Sequence, residues 1–267
     1  MIESIVFPTL ILGGMGGLFG LGLAYAAKVL SVNEDERVAK IREALPGANC
    51  GGCGFPGCDG FAAAVAEGKA AATGCPVGGD ALAEQLSEIM GVACERTERK
   101  TARVMCNGRC SVAKEKYSYY GIDDCFAASQ VFAGHKACSY GCLGHGTCVK
   151  ACPFNAIVIV GGVARVIEDR CKSCGKCIAA CPKKIIEMVT ASKKYAVLCR
   201  SKDKGPITKK NCDVGCIGCT KCVKACQFEA ISMEGPLARI DTEKCTNCGE
   251  CVKVCPTMAI RKLDWDD

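Results

Sequence analysis

Aromatic residues make up 6% of this 267-residue chain and tryptophan occurs once. With so little large apolar side chain, the modest cores of two or three small domains need reinforcement beyond packing. There is no Gly-rich dinucleotide fingerprint, no Cys-x-x-Cys-His and no recognisable flavin site. The chain alone therefore offers no nicotinamide site, no c-type haem and no flavin chemistry. It also lacks a nucleic-acid-binding module, although its formal charge is +6.

What the chain has in excess is cysteine, 26 residues in all. A secreted disulfide scaffold is usually short and does not repeat Cys-x-x-Cys-x-x-Cys-x-x-x-Cys runs. Zinc is the stronger rival, because paired Cys-x-x-Cys steps also make zinc ribbons. Two runs decide for iron and sulfide: Cys171, Cys174, Cys177, Cys181-Pro182 and Cys245, Cys248, Cys251, Cys255-Pro256 follow the bacterial ferredoxin spacing. An oxidised 4Fe-4S core on four thiolates is a net dianion, so six of them would contribute about −12 and bring the assembled chain near roughly −6. The positive count therefore balances clusters rather than marking a nucleic-acid partner.

These runs belong to two copies offset by 74 residues. Cys125, Cys138, Cys142, Cys148, Cys152, Cys171, Cys174, Cys177 and Cys181 align without a gap on Cys199, Cys212, Cys216, Cys222, Cys226, Cys245, Cys248, Cys251 and Cys255. The second copy adds Cys219 where the first has His145, and Gln227 replaces the proline expected after Cys226. In ferredoxins the fourth cysteine of each run serves the neighbouring cluster. That pattern implies Cys216, Cys219, Cys222 and Cys255 for one cluster and Cys226, Cys245, Cys248 and Cys251 for the next. In the first copy Cys152, Cys171, Cys174 and Cys177 make one set. Cys142, Cys148 and Cys181 lack a fourth member, with His145 read as a solvent-facing turn residue. Cys106, Cys125, Cys138, Cys199 and Cys212 remain, and with those three they suffice for two more clusters. β-prone stretches at 156–160 and 164–167, mirrored at 230–233 and 238–240, suit small hairpins beside short helices through Cys148 and Cys177.

Upstream, Cys50-Gly-Gly-Cys53-Gly-Phe-Pro-Gly-Cys58 is followed by Cys75, three close thiols and one distant one that can surround a cubane. Its glycines let the backbone fold tightly with N–H groups turned toward sulfur. Amphipathic and apolar helices are expected at 33–45 and 61–72. Residues 5–27 carry no charge and, at about 1.5 Å each, would span roughly 34 Å, enough for one transmembrane helix. A cleaved signal peptide is the rival, opposed by Glu3 and the absence of an N-terminal positive charge. Lys28, Arg37 and Lys40 follow the span, so the positive-inside rule puts the rest in the cytoplasm. The glycine pairs Gly13/Gly17 and Gly16/Gly20 would allow another helix to approach closely.

The fold class is therefore α+β, with a single N-terminal transmembrane helix (1–30), a small helical 4Fe-4S domain (31–92), a connecting segment with extra cysteines (93–124) and two tandem ferredoxin-like modules (125–189, and 190–267 with its linker). The Cys50–Cys75 block resembles a domain shared by the B subunit of Rnf-type complexes and the large subunit of a corrinoid iron-sulfur protein. With the span in front and the twin modules behind, the chain resembles the B subunit of the Rnf-type ion-translocating ferredoxin:NAD oxidoreductase. The resemblance implies an inner-membrane, single-pass protein with its clusters on the cytoplasmic side. Such a protein accepts electrons from reduced soluble ferredoxin and relays them to other membrane subunits, coupled in the complex to NAD reduction and Na+ or H+ export. A membrane-anchored polyferredoxin serving another dehydrogenase or hydrogenase would share every ligand. A structural zinc protein would not be reducible. Arg200, Lys202, Lys204, Lys209 and Lys210 form a basic stretch that could steer an acidic ferredoxin or simply be a solvated loop.

Twenty-four cysteines supply six clusters and leave Cys94 and Cys110 as free thiols; five clusters with more bystanders is the alternative. Anaerobically purified chain is expected to carry about 24 iron and 24 acid-labile sulfide for six clusters, against about 20 of each for five.

Overall fold

The computed structural model describes residues 2–29, 35–93 and 98–263. The uncharged stretch is one helix, α1 (Ile2–Val29). Its segment Leu10–Val29 is long and apolar enough to cross a membrane, and none of it is buried inside the chain.

A small helical domain follows. Asp35 caps α2 (Glu36–Ala44), its side chain accepting from the Arg37 amide at 2.9 Å, so the helix starts later than the spacing suggested. Helix α3 (Gly57–Ala66) begins and ends earlier than expected. The left-handed Gly68 (φ +72°) lies just beyond its end, and a short 3-10 turn (Ala72–Gly74) then delivers Cys75. A further helix, α4 (Gly79–Met90), buries Leu82, Ala83, Leu86 and Ser87 along one face and ends at the left-handed Gly91. The three helices share a core of Ile41, Leu45, Phe61, Ala62, Val65, Ala66, Leu82 and Leu86, with Cys53, Cys58 and Cys75 packed against it.

The remainder is two modules built alike. The first runs β1 (Lys100–Val104), α5 (Cys125–Gln130), α6 (Thr147–Lys150), β2 (Ile157–Val160), β3 (Val163–Val166), α7 (Lys176–Ala180) and β4 (Ile186–Thr190). The second runs β5 (Tyr195–Val197), α8 (Gly205–Asn211), α9 (Lys221–Ala225), β6 (Ile231–Glu234), β7 (Leu237–Ile240), α10 (Glu250–Lys253) and β8 (Ile260–Lys262). Each module has a central hairpin, β2–β3 or β6–β7, and an outer antiparallel pair joining its first strand to its last, β1–β4 or β5–β8. The hairpin β2–β3 turns on Gly161 and Gly162, both at positive φ, as a two-residue reversal requires.

The outer pairs alter the repeat read from the sequence. The Met105 amide donates to the Ile185 carbonyl and the Leu198 amide to the Ala259 carbonyl, each at 2.8 Å. Cys106 thus follows β1 as Cys199 follows β5, and the structural counterpart of Cys199 is Cys106 rather than Cys125. From there, Cys106 lies 32 residues before Cys138, whereas Cys199 lies 13 before Cys212. The first module therefore carries an insertion of 19 residues. Residues 112–116 of that longer segment bridge to Cys212 on one side and Lys136 on the other, stitching the modules together. Met105, Val189, Ala196, Leu198 and Leu263 form a shared core between the outer strand pairs.

In both copies a left-handed glycine of the first cysteine loop presses on the hairpin turn. A Cβ on Gly144 (φ +82°) would stand 2.6 Å from the Gly162 carbonyl oxygen, and one on Gly218 (φ +69°) 2.8 Å from that of Pro236. Gly144→Ala and Gly218→Ala are each expected to destabilise their module by about 1–3 kcal/mol through strain and overlap, measured by anaerobic thermal unfolding; an unchanged midpoint would mean the hairpin yields freely.

Candidate metal centres

Local turns place the cysteines of each run. Positive-φ residues sit inside the loops, Ser173, Gly175, Thr220, Asn247 and Gly249 among them. They curl the chain so that thiols three apart converge, the third of each run standing in the first turn of a short helix. The fourth cysteine lies at or just beyond the end of that helix and lines the other cavity of its module.

The structure gathers the 24 cysteines into six sets of four. Site 1 lies in the helical domain, where Cys50 and Cys53 both stand near Cys75, and Cys53, Cys58 and Cys75 border one core. Sites 2 to 6 are cavities. Site 2 is lined by Cys152, Cys171, Cys174 and Cys177, and site 3 by Cys125, Cys142, Cys148 and Cys181. Site 4 is lined by Cys106, Cys138, Cys199 and Cys212, site 5 by Cys216, Cys219, Cys222 and Cys255, and site 6 by Cys226, Cys245, Cys248 and Cys251. Their open volumes run from about 310 Å³ at site 2 to about 430 Å³ at site 4. Apart from cysteine, the walls mix aliphatic side chains and glycines with a few aromatic ones, and the wall of site 4 also carries Lys136, Arg200, Ser201 and Thr208.

Sites 2, 5 and 6 unite the residues that the ferredoxin spacing grouped. Site 3 is completed by Cys125, whose place spacing alone did not reveal. Asp124 caps α5, accepting from the Phe126 and Ala127 amides at 2.8 and 3.0 Å. Thr147 Oγ1 donates to Asp124 Oδ2 and accepts from the Cys125 amide, both at 2.7 Å. This clamp fastens Cys125 beside the helix that carries Cys148. Hydrogen bonding from Thr147, then from the Ala127 amide, holds the Asp124 carboxyl below its ordinary range. Site 4 takes two cysteines from each module, Cys106 with Cys138 and Cys199 with Cys212.

His145 is not a solvent-facing turn residue. Its side chain is 17% exposed, Nδ1 lies 2.8 Å from Asp123 Oδ1, and its ring meets Tyr119 and His135 at 5.1 and 5.3 Å between centroids. It lines none of the five cavities. Cys110 is exposed and joins no set; Cys94 lies outside the described residues. Arg200 leaves the basic stretch, since it is buried in an ion pair with Glu187, Nε to Oε1 at 2.9 Å.

The donor chemistry fits an iron-sulfur core. Burial above all, then the neighbouring thiols Cys142, Cys125, Cys181 and Cys177, pushes the Cys148 thiol up to about 12. Burial likewise pushes Cys142, Cys177, Cys199, Cys222 and Cys251 up to about 11. Such groups carry charge together only around a cationic centre. Backbone amides already point at sulfur. Gly108 and Cys142 donate to Cys106 Sγ, Ala164 to Cys142 Sγ, Ala156 to Cys152 Sγ and Ser201 to Cys199 Sγ, all at 3.4 Å. Among the described residues, no three of His, Cys, Asp or Glu stand close enough to hold one metal ion. Four thiolates on a single zinc would sit about 3.8 Å apart, given Zn–S bonds of about 2.3 Å.

The sites form a line. Beyond burial, Cys50 of site 1 helps raise Cys174 of site 2. A Cβ on Gly52 would stand 3.0 Å from the Cys174 Cα, so the two backbones touch there. Cys148 of site 3 feels Cys177 of site 2, and the Cys142 amide of site 3 donates to Cys106 Sγ of site 4. The Cys216 amide of site 5 donates to Cys199 of site 4, and Cys222 of site 5 bears on Cys251 of site 6.

Comparison with known proteins places iron-sulfur domains along the chain. Residues 45–77 match the FeS family model of an Fe-S cluster domain, and residues 136–182 and 215–259 each match a 4Fe-4S dicluster domain. The chain is 49% identical over 246 residues to the B subunit of the Na(+)-translocating ferredoxin:NAD(+) oxidoreductase complex of Acetobacterium woodii, covering 92% of this chain and 74% of that one. It is 43% identical to the B subunit of the ion-translocating oxidoreductase complex of Methanosarcina acetivorans, over 97% and 99% of the two chains. It is 39% identical to the B subunit of the proton-translocating ferredoxin:NAD(+) oxidoreductase complex of Clostridium ljungdahlii, over 91% and 87%.

Cys125→Ser is expected to lose about four irons, one 4Fe-4S complement, while Cys110→Ser and His145→Ala keep the full content. Iron and sulfide analysis of the anaerobic protein checks this, and full iron in Cys125→Ser would remove it from site 3.

Proposed function

The chain belongs to the B subunits of Rnf-type ion-translocating ferredoxin:NAD oxidoreductase complexes, and from that premise we propose that its six cysteine sets hold six 4Fe-4S clusters as one linear relay between soluble ferredoxin and the membrane. It is an iron-sulfur electron-transfer subunit of a multi-subunit oxidoreductase. Each cluster, when bound, supplies a one-electron donor and acceptor whose potential is set by hydrogen bonds to sulfur and by exposure. The observation that carries the reading is the unbroken line of six four-cysteine sites, in which each set adjoins the next through a shared backbone or neighbouring thiols.

The residues of the chain bind, insulate and space these groups. Many of the thiols are buried, so that the thiolates and the amides directed at them act in a low dielectric. Gly52 allows the helical domain to lie directly on the Cys174 loop, and Cys106 with Cys199 closes the gap between the modules.

The order of the line suggests its direction. Cys50 follows α1 by about two dozen residues, a short tether, so site 1 is the end nearest the membrane and the exit toward other subunits. Helix α1 provides the membrane association. Lys28, Arg37 and Lys40 just after it favour a cytoplasmic position for all six sites. The second module is the entry. Around α8 the side chains of Lys202, Lys204, Lys209 and Lys210 are exposed, with Ile207 half exposed among them. This is a cationic surface with an apolar centre, against the walls of sites 4 and 5, suited to an acidic ferredoxin. NAD reduction and the export of Na+ or H+ belong to the assembled complex.

Replacing Lys202, Lys204, Lys209 and Lys210 by glutamine is expected to lower the ferredoxin-dependent reduction rate about tenfold at low salt and to flatten its salt dependence, with iron content unchanged. Stopped-flow reduction by ferredoxin at several ionic strengths reads this; an unchanged rate would move the entry elsewhere.

A further inference from the structure

Lys136 is 1% exposed. Its Nζ donates to the carbonyl oxygens of Gly108 at 2.9 Å and Gly162 at 2.8 Å. Among the described residues no carboxylate pairs with it. It lines the site 4 cavity together with Cys106, Cys138, Cys199 and Cys212; Arg200 lines it too, but is ion-paired with Glu187. A buried cation without a nearby anion is strongly disfavoured, because two carbonyl dipoles do not replace the lost hydration. The missing anion is at hand once site 4 holds its cluster, since four thiolates around an oxidised core carry two net negative charges.

The repeat sharpens the point. At the offset of 74 residues the counterpart of Lys136 is Lys210, which is exposed on α8. Site 4 is assembled from matching cysteine pairs of the two modules, yet only the first module turns its lysine inward. The longer segment of that module makes this possible: residues 114–116 pair with 135–137, covering Lys136, while the Gly108 carbonyl after Cys106 and the Gly162 carbonyl of the β2–β3 turn receive its Nζ. Lys136 also stands toward site 3. The Cys142 thiol, raised chiefly by burial and then by Cys106, is drawn the other way by Lys136.

We propose that Lys136 is the built-in countercharge of site 4, a positioning residue that raises the reduction potential of the cluster held there above the value its four thiolates alone would set. Reduction adds one electron and one negative charge to the core without breaking a bond. A fixed cation in the wall therefore favours the reduced form over the oxidised one. The junction between the two modules becomes a point of rest for the electron midway along the line. This inference rests on site 4 holding a 4Fe-4S cluster.

The test is an EPR-monitored potentiometric titration of the full chain, purified anaerobically, for wild type, Lys136→Met, Lys136→Gln, Lys136→Arg and Lys210→Met, with iron and sulfide quantified in each. The expected result is that one reductive step moves to more negative potential in Lys136→Met and Lys136→Gln. It stays in place in Lys136→Arg and in Lys210→Met. Unmoved steps in a neutral variant that retains full iron would overturn the proposal. Loss of about four irons from both neutral variants, with Lys136→Arg complete, would show the same charge compensation acting on retention. The same loss from all three would make Lys136 a packing residue and overturn it. A wild type already short of that iron would refute the six-cluster reading instead, so the two failures are distinct.

Discussion

The structure depends on one electrostatic constraint: thiols buried four at a time cannot all ionise unless a cationic core stands between them. Burial raises Cys148 to about 12 and five other cysteines to about 11, which makes the cavities poor places for thiolates and good ones for thiolate-bound iron. The same cavities interrupt the hydrophobic clusters. Cys199, Cys222 and Cys251 belong to the core of the second module beside Val197, Ile231, Leu237 and Ile260. The cysteine sets and the packed core are thus one structure, in which bound clusters would supply the reinforcement that so few aromatic residues leave wanting.

Duplication supplied the plan and an insertion adapted it. The hairpins, the cysteine loops and the closing strands β4 and β8 repeat at 74 residues, whereas the opening strands do not. The longer first module uses its added chain in two ways. It brings Cys125 to the place that His145 leaves without a thiol, and it lays residues 112–116 between the modules. Glu187 on β4 adds a charged bond across the junction, accepting from Arg200 Nε at 2.9 Å and Arg239 Nη1 at 3.3 Å. Site 4 could not exist in either module alone.

Legibility in the sequence followed distance along the chain. Cys171, Cys174 and Cys177 belong together because their spacing describes a single turn, and the same holds for Cys245, Cys248 and Cys251. Hairpins at β2–β3 and β6–β7 were visible as short β-prone stretches around Gly161 and Gly235. Helix α4 and the outer strands escaped notice, since β1 and β4 are short and find each other across more than eighty residues. A gapless alignment set Cys125 opposite Cys199, because the insertion happens to put a cysteine at that offset. Arg200 reads as one more surface charge in the sequence, whereas its ion pair with Glu187 on β4 leaves its side chain only 11% exposed.

The sequence by itself determined the kind of chemistry, which cysteines of each run come together, the apolar N-terminal helix and the resemblance to an electron-carrying membrane subunit, because each of these is written in spacings of a few residues or in one continuous stretch. Tertiary structure alone decided how Cys106, Cys125, Cys138, Cys199 and Cys212 are shared between sites 3 and 4, the order of the six sites, and the burial of Lys136 beside one of them. Those features depend on which strand pairs with which and on where an insertion folds, and such long-range contacts leave no periodic mark in the order of residues.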